Sequence, residues 1–240
     1  MKRGKRYRAL REGIDRTREY SPGEAISTVK AMQSAKFTEA VEVHIRLGVN
    51  VRHADQQVRG TMVMPHGLGK DVVVAAFAQG DKAREAEAAG ADAVGGEDLA
   101  ERVSGGWTDF DVAIATPDMM PVVAKLGRIL GPQGKMPNPK VGTVTEDVGR
   151  AVEQAKAGRI EYRTDRSGII HIVVGRTEFD ERRLLENYAA LIDEVVRAKP
   201  AAAKGRYIRS VTLSTTMGPG IKVDPTKTKD IAEEVTAEAA

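Results

Sequence analysis

Val41, Val43, Ile45, Leu47 and Val49 alternate with Glu42, His44 and Arg46. A period of two predicts a strand with one face in a core and one in water. Gln57 to Met64 is a weaker strand, broken by Pro65-His66-Gly67-Leu68-Gly69. Before these, Ser21-Pro22-Gly23-Glu24 is a helix start, with Ser as cap and Glu three positions on. Ala25, Ile26, Val29 and Met32 supply that helix's apolar stripe, and Tyr7, Leu10 and Ile14 keep helical spacing on the arm ahead of it.

After Gly69 the pattern changes. Val72 to Phe77 and Asp111 to Ala115 are continuous apolar runs, as in strands covered on both sides. Ala91 to Gly95 is a brief third strand. Helices are expected over Asp81–Ala89, Glu97–Val103, Met119–Leu126 and Val148–Ala157. Short buried strands alternating with helices predict a small parallel α/β sheet.

The first mode returns after Gly158. Ile160–Thr164 and Ile169–Val174 flank Asp165-Arg166-Ser167-Gly168, which has the composition of a hairpin turn. Leu184, Leu185, Tyr188, Leu191, Ile192, Val195 and Val196 mark an amphipathic helix opened by Phe179-Asp180. Tyr207 to Thr216 is a last strand, stopped by Gly218-Pro219-Gly220. The expected architecture is therefore two domains. Residues 1–65 with 159–240 form a discontinuous α+β domain with a mainly antiparallel sheet. Residues 66–158 form an inserted α/β domain. The tail 224–240 is expected to be frayed or weakly helical.

Charge supports the same division. Residues 66–158 hold 10 basic and 14 acidic side chains, whereas the flanks hold 27 and 20. The tail after Val223 has 2 basic and 5 acidic residues, so the rest of the flanking body is more basic still. The arm over residues 2–18 carries eight basic and two acidic side chains. Clustered positive charge points to nucleic acid or an anionic lipid surface. Only 4% of residues are aromatic, so base stacking would rest on one or two of them. The chain has no cysteine, no apolar run of membrane-spanning length and no secretory signal, which fits a cytosolic protein.

Candidate chemistry is sparse. The loop Gly127 to Lys140 concentrates Gly, Pro and basic residues and invites a phosphate reading. Its spacing excludes a Walker loop, with Ile129 at the first Gly position and Met136 after the Gly-Lys pair. Only Gly80 follows the strand ending at Phe77, so no dinucleotide fingerprint is present. His44, His53, His66 and His171 lack metal-ligand spacing. Asp109, Asp111 and Asp118 surround one strand end and leave open a Mg²⁺-dependent enzyme built on the insert. A module that binds protein partners through the insert is a third reading. Two segments suit close approach to RNA. Lys36-Phe37-Thr38-Glu39 offers a cation, a ring and a carboxylate that could accept from a base or ribose hydroxyl. Ser214 to Gly220 offers small hydroxyls and Gly, which let the backbone approach a ribose edge.

The run Gly127 to Lys140, the hinge Pro65-His66-Gly67, the segment Ala35 to Val43 taken as the start of the first strand, and Ser214 to Pro219 together resemble the ribosomal protein L-one family in its bacterial form. The resemblance runs from Gly4 to about Val223. It implies an rRNA-binding domain made of both chain ends and an inserted Rossmann-like, three-layer α/β domain. It implies a cytoplasmic, non-enzymatic protein of the mobile side stalk of the large ribosomal subunit, with no cofactor, metal or membrane. Implied partners are stalk rRNA, the protein's own operon mRNA, whose translation it would repress, and exit-site tRNA, in whose release it would take part. The family's RNA-contacting positions fall on Lys36, Phe37, Glu39, Arg163, Asp165, Ser210, Thr215, Thr216, Met217 and Gly218. Lys135 and Lys140 of the Gly/Pro loop are further candidates to face tRNA.

Overall fold

The computed structural model describes residues 4–227; most of the acidic tail, residues 228–240, lies outside the described residues. In chain order the elements begin with α1 (Lys5–Glu12), α2 (Pro22–Ala31), β1 (Ala40–Leu47) and β2 (Arg59–Val63). The middle of the chain holds β3 (Val74–Phe77), α3 (Asp81–Ala88), β4 (Ala93–Gly95), α4 (Glu97–Ser104), β5 (Val112–Ala115), α5 (Met120–Ala124), α6 (Gly127–Leu130) and α7 (Val148–Lys156). The chain closes with β6 (Arg159–Arg163), β7 (Ile169–Arg176), α8 (Glu181–Arg197), β8 (Ile208–Thr215) and β9 (Ile221–Val223). Two compact units result. One joins the residues up to Gly69 with those from Glu161 onward, and the other is Lys70–Ile160.

In the discontinuous unit the strands are ordered β7-β1-β8-β9, with antiparallel neighbours throughout. The alternation in β1 buries Val41, Val43, Ile45 and Leu47. Their cross-strand neighbours Ile170, Ile172, Val211 and Leu213 are buried with them. Helices α2 and α8 cover this face and touch each other. The start of α2 is a reciprocal capping box: Glu24 N donates to Ser21 Oγ at 3.3 Å and Ser21 N to Glu24 Oε2 at 3.2 Å. The opposite face carries Glu42, His44, Arg46, Ser210, Thr212 and Ser214.

Several expected boundaries move, each for a local reason. The first strand ends at Leu47, not Val49, because Gly48 passes against the Arg206 backbone and donates to Tyr207 O. The expected hairpin closes as a turn, with Asp165 Oδ1 accepting from Ser167 N and Ile169 N at 2.8 and 2.7 Å. Its two strands then enter different sheets, β7 beside β1 and β6 beside β2. The buried Tyr162 accounts for that split. Its ring lies against Gly60, where a Cβ would collide with it, and its hydroxyl donates to Glu194 on α8 at 3.1 Å. Val196 is 47% exposed; it follows Val195 by one position, about 100° around the helix and off the buried stripe.

The unit Lys70–Ile160 is a three-layer α/β fold. Its parallel sheet has the order β4-β3-β5. Val74, Ala76 and Ile114 pack on one side with Ala86 of α3 and Val148, Ala151, Val152 and Ala155 of α7. Ala75, Phe77, Ala113 and Ala115 pack on the other with Leu99 and Val103 of α4 and with Met119, Val123 and Leu130. The helix expected over Met119–Leu126 is broken into a 3₁₀ turn, Pro117–Met119, and the short α5. Pro117 and Pro121 supply no N–H to a continuous ladder. The Gly/Pro loop is anchored at two points. Leu130 and Pro137 are buried, and Asn138 Oδ1 accepts from Lys140 N at 2.8 Å to cap the turn Pro139–Val141.

One fold-bearing residue escaped the sequence. Asn187 sits on the buried face of α8 with no exposed surface. Its Oδ1 accepts from His66 N at 3.0 Å, and its Nδ2 donates to Gly67 O and Val174 O at 3.1 and 2.8 Å. It ties the His66-Gly67 turn to β7. Asn187→Ala leaves all three backbone groups without that partner and is expected to destabilise the discontinuous unit by about 2–4 kcal/mol, read as a lower urea midpoint.

Candidate nucleic-acid interface

Glu39 organises the first candidate segment. It is buried, with no exposed surface. Oε1 accepts from Ser34 N at 3.0 Å and Ala35 N at 2.9 Å, and Oε2 accepts from Met217 N at 2.9 Å. Burial pushes its carboxyl upward, but the amides of Ser34, Ala35 and Met217 outweigh this and hold it down at about 2. In this structure the Glu39 carboxylate joins two chain segments. The same pull explains why residues 35–39 turn and do not extend the strand. Thr216 completes the joint, its N donating to Ala40 O at 3.1 Å and its Oγ1 accepting from Ala40 N at 3.0 Å.

What this joint presents is apolar and exposed. Phe37 is 53% exposed and Met217 46%, unusual for side chains of that size in a protein with so few aromatics. Phe37 is not a core residue. Lys36 and Thr216 are exposed beside them in sequence, Gly218 is half-buried, and Thr215 is buried beneath the turn that Gly218 N closes on Thr215 O at 3.2 Å. A Cβ at Gly218 would meet Thr215 Oγ1, so a larger residue there would force the Thr215 side chain to move.

A polar line crosses the open sheet face from this platform. His44 Nε2 lies 3.1 Å from Ser214 Oγ, and His44 Nδ1 lies 2.9 Å from His171 Nδ1. His171 Nε2 is 3.6 Å from Asp165 Oδ2. The Nδ1–Nδ1 contact requires one ring to donate and the other to accept. Burial first, and then the neighbouring His171, lower the pKa of His44, with Glu42 opposing. Ser210 stands exposed opposite Arg46 in the register, and Arg163 is exposed at the end of β6. The structure joins Glu39 and Ala40 to Thr216 and Met217 directly, sets Lys36 and Phe37 in the turn that Glu39 holds, and links Asp165 to Ser214 through two histidines. Alternation puts His44 on the polar face, but only the pairing of β1 with β7 and β8 reveals its neighbours.

Asp111 accepts from Lys70 Nζ at 2.6 Å and Val73 N at 3.2 Å. Among the described residues no group of three or more His, Asp or Glu is placed to hold a metal ion. Lys135 is half-buried, its ammonium donating to Thr108 O at 2.8 Å and lying 5.3 Å from the Phe110 ring centre. Lys140 is exposed. No helix among the described residues is long and apolar enough to cross a membrane.

The fold is that of a two-unit protein, a discontinuous α+β unit interrupted by a parallel α/β unit. A family model described as the ribosomal protein L1p/L10e family matches residues 29–219. The large ribosomal subunit protein uL1 of Thermobifida fusca (strain YX) is 57% identical over 233 residues, covering 97% of this chain and 99% of that protein. The chain belongs to the ribosomal protein L1p/L10e family, a family of ribosomal structural proteins and not of enzymes.

Proposed function

We propose that this protein is a component of the large ribosomal subunit that binds rRNA of the mobile side stalk through the platform of Phe37 and Met217 and the open sheet face beside it. The observation that carries this reading is the exposure of those two side chains on a support built by a buried carboxylate. A platform fixed in this way offers stacking surface without an ordering cost at binding. In this reading Lys36 and Arg163 meet phosphates, Ser210, Thr216 and Gly218 meet ribose edges, and Glu39, Thr215 and Asp165 hold the surface in shape. The protein acts in the cytoplasm, on the ribosome. The same surface binds the leader of its own operon mRNA where that RNA repeats the stalk fold, and occupancy by mRNA represses translation. The α/β unit takes part in exit-site tRNA release, and exposed Lys140 is its candidate contact.

A titration of the full chain against stalk rRNA, the operon leader and an unrelated hairpin tests this. For about five phosphate contacts, affinity is expected to fall by about two orders of magnitude between 50 and 200 mM salt. Stalk rRNA and the leader compete for one site, and the hairpin binds more weakly at every salt concentration. A flat salt response, or equal binding of all three RNAs, contradicts the reading.

A further inference from the structure

A concave site of about 320 Å³ lies between the N-terminal arm and the β8–β9 edge of the antiparallel sheet. Tyr7, Arg11 and Arg16 line it from the arm, and Thr212, Gly220 and Lys222 from the sheet. Thr212 and Lys222 are cross-strand partners, and Thr212 in turn opposes His44. The site therefore ends the same row of open-face residues that the two histidines occupy. Pro219, which also lines it, is two residues from Met217.

Its charge is unbalanced. Among the described residues, Arg11, Arg16 and Lys222 form no ion pair with a side chain. The one carboxylate in the lining, Asp15, accepts through Oδ1 from Thr17 N at 2.9 Å and Thr17 Oγ1 at 2.6 Å. Three exposed cations bordering one concavity give it a positive potential that favours an anion. The volume is at the low end of small-molecule sites, about 300–1,000 Å³, which suits one nucleotide and not a length of duplex. A tyrosine and a threonine hydroxyl in the lining match the aromatic and polar needs of a base and a ribose.

We infer that this site seats a single unstacked nucleotide, phosphate included, from the RNA whose neighbouring segment lies on Phe37 and Met217. The inference rests on the RNA-binding reading above and extends its footprint to the N-terminal arm. The anchoring cations come from chain segments about 200 residues apart in sequence, so the site exists only when the arm is docked on β8 and β9.

The test uses the full chain and a stalk rRNA fragment. Arg11→Gln, Arg16→Gln and Lys222→Gln combined are expected to weaken binding about tenfold or more at 100 mM salt and to reduce the slope of log K against log salt by roughly one to two. Thr212→Tyr, which fills the site and leaves its charge intact, is expected to weaken binding with the slope less changed, at an unaltered melting temperature. A control triple, Arg52→Gln, Lys204→Gln and Arg197→Gln, removes three exposed cations elsewhere on the same unit. Equal losses in the control and site triples would overturn the proposal by reducing it to net charge. So would unchanged affinity in both site variants while Met217→Asp still weakens binding; that pattern spares the main interface. Failure of the unaltered chain to bind stalk rRNA refutes the underlying reading itself. If inorganic phosphate or a free nucleotide at millimolar concentration competes for the site but RNA affinity ignores the variants, the site takes small anions and the proposal is wrong.

Discussion

Glu39→Gln is expected to lower the stability of the discontinuous unit by about 3 kcal/mol and to weaken RNA binding as well. The carboxylate accepts from three backbone amides in a site with no solvent exposure. A neutral amide offers one acceptor oxygen and turns an NH₂ toward donors, leaving buried N–H groups unpaired. The pH dependence gives a second, independent readout. A carboxyl held at about 2 in the folded chain and near 4.5 when unfolded stabilises fully above pH 4.5. That stability is lost as pH falls from about 4.5 toward 2. Urea unfolding at pH 6 and pH 3 should therefore show the wild type losing most of its advantage over Glu39→Gln at the lower pH. An advantage that persists undiminished at pH 3 would remove the buried charge as its source. Full stability with lost RNA affinity would show that Glu39 touches RNA after all.

Phe37→Ala is expected to cost RNA binding about 1–3 kcal/mol, a factor of roughly 5 to 150, if its ring stacks on a base. Half of that side chain already faces water, so the melting temperature should hardly move. Met217→Asp should act in the same direction, placing a negative charge where phosphate is near. A binding titration paired with a thermal melt separates the outcomes. A melting temperature that falls while affinity holds would return Phe37 to a structural role.

The alternation in β1 identified its buried face residue by residue, because a strand has only two faces and water selects between them. The capping box before α2 was equally readable, since donor and acceptor sit three positions apart. The break from alternating to continuous apolar strands marked the parallel insert for a similar reason: a sheet covered on both sides has no polar face to show. Phe37 was visible as a ring next to a charge.

Long-range pairing hid the rest. Glu39 looks like a surface carboxylate until Met217, 178 positions away, is folded onto it. Asp165 to Gly168 has the composition of a hairpin, and nothing local says that Tyr162 will carry its strand into another sheet. Asn187 is one polar residue in an amphipathic helix, and its three backbone partners come from the His66-Gly67 turn and from β7. Local periodicity and spacing therefore settled the elements, their buried faces and the family resemblance, because those depend on neighbours a few residues apart. The buried charge that builds the platform, the histidine line and the basic concavity arose from packing, because each joins segments whose separation along the chain leaves no periodic trace.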